Sequence, residues 1–274
     1  MNKKAAVIFL SIALAIILLS SIVRSTALKR SLRHIDRIDS ENKQSLLILA
    51  KNFEAGKDYL KAKKALEKFI ENSPYSSKTA EIQKDIENLN IKILFSDIMT
   101  DNDVSYKIQP GDTLAKIASK FNTTVELLKE SNNLRSDLIL PGKFLKVNRG
   151  KFSILVDKSK NELTLKESDS EIVKTYLVST GENFSTPIGI FKIEEKLVSP
   201  AWYRVGAIVE PDSPEYELGS RWMGLSVSGY GIHGTKEASS IGKYITRGCV
   251  RMRNEDVEEL YAIVPAGTEV VIVE

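Results

Sequence analysis

The chain has 274 residues, of which 42% are hydrophobic and 27% charged, and its formal net charge is +3. That composition suits a folded chain of about two domains and excludes a disordered or fibrous one. One cysteine (Cys249) and two histidines (His34 and His233) exclude an internal disulfide, a cysteine-rich zinc site and a multi-histidine metal centre. No metal or other cofactor is therefore expected.

The first element is Ala5 to Val23, 19 residues without a charge, preceded by Lys3 and Lys4. It has no polar face at helical spacing and is long enough to cross a bilayer. We read residues 1–27 as an uncleaved anchor in the cytoplasmic membrane, in preference to a removed signal, because Ser25-Thr26-Ala27 is a mediocre cleavage site. Arg24, Lys29, Arg30, Arg33 and Arg37 follow the span, with His34 among them as a solvated residue. By charge alone these would hold the body inside the cell. They also account for the net charge, leaving a near-neutral body that argues against nucleic acid as a partner.

Residues 28–100 read as a helical spacer. Ala50, Phe53, Gly56, Tyr59, Ala62, Ala65, Phe69 and Pro74 resemble a tetratricopeptide-type helix pair, in which small residues permit close packing and the proline ends the second helix. A single repeat does not make a solenoid, so a spacer or dimerising hairpin is expected, with no partner specified.

Residues 104–149 form a small β-α-α-β unit. Tyr106-Lys107-Ile108 is strand-like, and Asp112 or Thr113 can cap a helix carrying Leu114, Ile117, Ala118 and Phe121. Thr123 or Thr124 can cap a second helix, and Phe144 to Val147 closes the unit. YKIQPGDTLAKIASKF, TTVELLKESNNL and DLILPGKFLKV resemble a LysM module. The resemblance implies binding of peptidoglycan glycans between two loops, here Gly111, Asp112, Thr113 and Leu114 facing Leu138, Ile139, Leu140 and Pro141.

From residue 151 to 274 the pattern has period two. Strands are expected at Phe152–Val156, Glu162–Leu165, Ile172–Val178, Gly189–Ile193 and Gly267–Val273, and a helix at Asn254–Ile263. The fold class is thus multi-domain: anchor, helical hairpin, LysM module and a mostly-β C-terminal domain. Cys249 follows a glycine, so the chain can turn sharply there and present amides to an oxyanion. Arg247 and Arg251 flank it, and cations favour thiolate over thiol.

LGSRWMGL, YGIHGT, ASSIGKYITRGCVRM and VPAGTEVVI resemble the YkuD-type L,D-transpeptidase catalytic domain. The resemblance implies that Cys249 is the nucleophile, that His233 is its base, and that the Gly248 and Cys249 amides hold the oxyanion. Gly234 is the expected orienting carbonyl. Arg251, Arg247 and Thr246 are expected at the substrate, with Tyr230, Trp222 and Met223 lining the acyl-donor cleft. Arg251 has a structural salt bridge as its alternative role. Arg247 stands where many members have histidine, and Thr246 where serine is common. The implied reaction is peptidoglycan 3→3 cross-linking through a cysteine acyl-enzyme. A stem-trimming L,D-carboxypeptidase and a non-catalytic wall anchor are the alternatives. Two modules pointing to peptidoglycan outweigh the charge around the anchor and place the body on the extracytoplasmic side of the envelope.

Overall fold

The computed structural model describes residues 42–168, 171–204 and 207–274. The expected anchor and His34 lie outside these. Among the described residues no helix is long and apolar enough to cross a membrane. The chain divides into two compact units, Met1–Ile82 and Gln83–Glu274.

In the first unit, helical residues 42–55 (α1) lead through a Gly56-Lys57 turn into α2 (Tyr59–Asn72). Asp58 caps α2 by accepting from the Lys61 amide at 3.3 Å. Ala62, Ala65, Leu66 and Phe69 form the buried stripe of α2, at the spacing expected of one apolar face. The next helix, α3 (Thr79–Leu94), begins in this unit and runs on into the second.

The second unit contains the β-α-α-β module: β1 (Asp103–Lys107), α4 (Leu114–Phe121), α5 (Val125–Ser131) and β2 (Phe144–Asn148). Thr113 and Thr124 are the caps, accepting from the Lys116 and Leu127 amides at 3.2 and 2.8 Å. Antiparallel pairing of β1 with β2 closes the module over Ile108, Leu114, Ile117, Ala118, Leu128, Leu145 and Val147.

The rest of the unit is mostly β. Its strands are β3 (Phe152–Asp157), β4 (Glu162–Glu167), β5 (Glu171–Leu177), β6 (Thr180–Gly181), β7 (Gly189–Val198), β8 (Trp202–Arg204), β9 (Ala207–Val209), β10 (Arg221–Leu225), β11 (Gly231–His233), β12 (Tyr244–Thr246), β13 (Val250–Arg251) and β14 (Glu269–Val273). Eight of them form one sheet in the order β13-β11-β10-β7-β14-β3-β4-β5. Helix α6 (Asn254–Ile263) joins its core through fully buried Val257, Leu260 and Ile263. Each such side chain contributes about 1.5–3 kcal/mol of burial free energy.

The free edge of β5 is covered by the second part of α3. Glu87 accepts from the Thr175 amide at 3.2 Å, and Asn90 donates to the Ile172 and Val173 carbonyls at 3.2 and 3.0 Å. Ile91 and Leu94 join the core of the β domain. The end of α3, read from the sequence as spacer, therefore belongs to the β domain and satisfies an edge that would otherwise be open to another chain.

Candidate active site

The sheet's register assembles the site. β11 and β13 run parallel, with Ile232 opposite Val250 and His233 opposite Arg251, which sets Cys249 level with Gly231. Alternation then divides the residues between two faces. Ile232, Val250 and Met223 point into the core, each 1% exposed or less. Gly231, His233, Cys249 and Arg251 share the opposite face, and Trp222 of β10, opposite His233, lies on that face too. Met223, expected in the cleft, is therefore a core residue, one position out of phase with Trp222.

Trp222 stacks on His233 with centroids 5.9 Å apart and planes at 25°. A side chain at Gly231 would strike the indole, since a Cβ there would lie 2.6 Å from it. The glycine lets the ring lie flat beside the row that ends at Cys249.

His233 is buried, and its Nδ1 lies 2.7 Å from the Gly234 carbonyl. The carbonyl only accepts, so Nδ1 carries the proton and Nε2 keeps its lone pair. Burial pushes the imidazole pKa down to about 4, with the Arg251 cation adding to the effect against main-chain hydrogen bonds at Gly234 and Leu218. The ring is thus a neutral base at pH 7.

Cys249 is partly exposed, and its Sγ lies 3.8 Å from the Gly229 carbonyl. Burial of the sulfur pushes its pKa up, opposed by the Gly231 main chain and by Arg251. This differs from the sequence expectation that flanking arginines would favour the thiolate. Arg251 does favour the thiolate, but desolvation of the charged form outweighs it. The resting pair is thiol and neutral imidazole, so proton transfer must accompany attack on a carbonyl.

The turn into Cys249 is held by Thr246, which is buried. Its hydroxyl donates to the Cys249 carbonyl at 2.7 Å and accepts from the Gly248 amide at 3.2 Å. Thr246 is thus a brace for the nucleophile turn, although it also reaches the cleft wall. The Gly248 amide is already engaged, which counts against the expected oxyanion role. No hydrogen bond from the Cys249 amide is found among the described residues, leaving that amide as the better donor. Gly248 itself has φ +125°, and a Cβ there would lie 2.5 Å from the Tyr230 ring and 2.9 Å from the Ser185 carbonyl. Tyr230 thus packs against the turn. Gly248→Ala is expected to displace Cys249 and lower kcat/KM by about 10²-fold or more, as an ångström of misplacement does, with a lower melting temperature in the same preparation.

A cleft of about 660 Å³ reaches the row at Arg251; it is lined by Arg247, Arg251, Thr235 and Thr246 and by carboxylates including Glu217 and Glu237, and not by Cys249, His233, Trp222 or Tyr230. Arg247 is exposed on its wall. Arg251 is 8% exposed, its Nη2 sits 3.4 Å from Glu217 Oε2, and its Nε has no hydrogen-bond partner among the described residues. Its main chain pairs both ways with Ser179 at 2.8 Å. Arg251 thus makes the ion pair of its alternative, structural role and also lines the cleft. Glu217, Thr235 and the main chain of Gly229 and Gly231 were not singled out from the sequence, although all four fall within or beside the quoted motifs.

In the small module, the Ile108 amide donates to the Lys143 carbonyl and the Gly142 amide to the Ile108 carbonyl, both at 2.9 Å. This brings the two predicted loops together. Asp112 accepts from Tyr106 Oη at 2.8 Å and from the Gln109 amide at 2.7 Å, pinning the first loop. Leu138 and Leu140 are 77% and 57% exposed, and Gly111, Thr113 and Pro141 are also exposed. Ile139 is half-buried against the module core, and Leu114, at 2%, lies inside that core, so it cannot face a ligand.

Residues 106–148 match the LysM domain, and residues 151–272 match YkuD, the L,D-transpeptidase catalytic domain. Neither match reaches the helices before Tyr106. A Bacillus licheniformis protein named L,D-transpeptidase YkuD is 36% identical over 176 residues, covering 61% of this chain and 97% of that one. Its Bacillus subtilis namesake is 34% identical over 177 residues, covering 62% and 98%. An L,D-transpeptidase structure from Mycobacterium smegmatis is similar at 19% identity and a TM-score of 0.40, covering 50% of this chain and 65% of that one. The chain belongs to the YkuD family of L,D-transpeptidases. It joins that family's catalytic domain to a LysM domain.

Proposed function

We propose that this L,D-transpeptidase cross-links peptidoglycan stems through a thioester on Cys249. The observation that carries the reading is the shared face of Cys249 and His233, with the imidazole held neutral and Nε2 unprotonated. Sγ attacks the carbonyl of the third stem residue while its proton passes to Nε2, and the Cys249 amide steadies the oxyanion. The C–N bond to the terminal D-alanine breaks, and His233 returns the proton to the leaving amine. A side-chain amine of a second stem then attacks the thioester, loses its proton to His233 and releases the thiol. Gly234 orients the ring, and Thr246 and Gly248 hold the turn. Arg251 and Arg247 meet the substrate carboxylate, and Trp222 and Tyr230 wall the donor side.

The LysM module supplies glycan binding through its paired loops, where exposed Leu138 and Leu140 offer an apolar platform beside main-chain groups. Leu138→Asp is expected to weaken binding to insoluble peptidoglycan about tenfold, in keeping with the loss of one buried leucine, in a pull-down assay. Turnover of soluble stems should be unchanged. The cell envelope is the place of action, and anchoring through residues 5–23 is part of this proposal.

Incubation with tetrapeptide muropeptides, followed by mass spectrometry, tests the reaction. Cross-linked dimers support transpeptidation; tripeptide alone would make the enzyme a carboxypeptidase, and no turnover would make the chain a wall-binding anchor.

A further inference from the structure

We propose that the LysM and catalytic modules form one rigid body, so that the stem presented to Cys249 is set by where the module grips the glycan strand. This rests on the transpeptidase reading above and adds a positioning role to residues outside both sites.

The module is fixed at several separate points. The two neighbouring leucines of α5 face different ways: Leu128 belongs to the module's own core, whereas Leu127, 1% exposed, belongs to the core of the catalytic domain. Thr124, which caps α5 through the Leu127 amide, donates its own hydroxyl to the Ala262 carbonyl of α6. The last carbonyls of a helix lack partners within it. Those at the end of α6 are taken from outside, Ala262 by the module and Tyr261 and Val264 by Lys196 Nζ at 2.7 and 2.8 Å.

On another side, buried Lys146 of β2 donates to the Ile93 and Ser96 carbonyls, both at 2.9 Å, and pairs with Asp103 at 3.5 Å. Ile93 lies on α3, whose Ile91 and Leu94 are in the catalytic core. Asn148 Nδ2 donates to Glu167 Oε1 of β4 at 2.9 Å. The link between β2 and β3 is only Arg149-Gly150-Lys151. Its Arg149 amide donates to Asn102 at 2.8 Å and its Gly150 amide to Asn148 Oδ1 at 2.9 Å. There is no slack chain.

Rigidity has a reach beyond the interface because α6 spans it. Its far end places Asn254 Oδ1 3.0 Å from the Ser220 amide, against Gly234, whose carbonyl orients His233. The helix that receives the LysM module also supports the base. A flexibly tethered module would raise the local concentration of stems over a broad radius; a fixed one offers only stems at one offset from the bound sugars.

The test combines Leu127→Asn with six Gly and Ser residues inserted between Arg149 and Gly150. Leu127 is not part of the module's own core, so pull-down on insoluble peptidoglycan should persist. The ratio of intact-sacculus cross-linking to soluble muropeptide turnover should fall by about tenfold or more, the scale set by a lost effective concentration, because any loss carried through α6 to the base lowers both rates alike. An unchanged ratio would overturn the proposal. Should the variant fold poorly, residual dipolar couplings of the unaltered protein decide instead. One alignment tensor for both modules supports the rigid body, and two tensors refute it. Failure of the transpeptidase reading would show separately, as no turnover of soluble muropeptides by the unaltered protein.

Discussion

Cys249→Ala is expected to lower turnover of tetrapeptide stems by about 10⁴-fold or more, the scale on which loss of a nucleophile is felt. The thiol is the sole cysteine of the chain. It lies level with Gly231 on the face shared with His233, and it carries the only thiol or hydroxyl on that row. The substitution removes only a sulfur from a partly exposed position. The Thr246 bridge uses the Cys249 carbonyl, which alanine retains. Melting temperature and peptidoglycan pull-down should therefore match the unaltered protein, so that loss of rate cannot be ascribed to misfolding. Retention of more than a few per cent of the rate in a steady-state assay would remove Cys249 from the mechanism.

The second large effect belongs to His233. His233→Gln is expected to cost 10²- to 10⁴-fold in kcat/KM, the range of general-base contributions. The pH profile separates this role from a structural one. With the imidazole pKa at about 4, the base is neutral throughout the physiological range. The acid limb of kcat/KM should then fall near pH 4 and not near pH 6.5, the value of a free imidazole. The thiol pKa is raised, so the ionised nucleophile contributes only on the alkaline side.

Stability carries the same signature with its own sign. The folded pKa of His233 is below the unfolded one, so above pH 6.5 neither state binds the proton and the stabilisation is complete. As pH falls from about 6.5 to about 4, the unfolded chain binds a proton that the folded one refuses, and about 3 kcal/mol is lost. Denaturant titrations at pH 7 and pH 4 should show that difference to be larger in the unaltered protein than in His233→Gln. Equal differences would mean that the ring is not held neutral by burial.

The long elements were legible because their periodicity is sustained. Phe152, Ile154 and Val156 alternate inward along β3, and α6 covers Asn254–Ile263 as expected from its apolar spacing. The strands that carry the site were not. β11 has three residues and β13 two, too few for a period, and they lie in glycine-containing motifs. Two misplacements, Met223 and Leu114, are errors of phase. Met223 adjoins Trp222 and so points the opposite way on a strand, and Leu114 shares the helical stripe of Ile117 and Ala118. The charges around Cys249 were readable from its neighbours, but the depth of its burial was not, because depth depends on strands distant in sequence. The same holds for α3, whose Glu87 and Asn90 look like ordinary surface residues until β5 is placed beside them.

The central claim is the thioester on Cys249. Reaction of the full chain with a tetrapeptide muropeptide, quenched in acid during turnover and digested, allows the acylated peptide to be located by mass spectrometry. The account predicts the stem acyl group on the peptide containing Cys249 and on no other, with stoichiometry approaching one when no acceptor amine is supplied. Product accumulating with no acyl group on Cys249, or with the group on another residue, would contradict it.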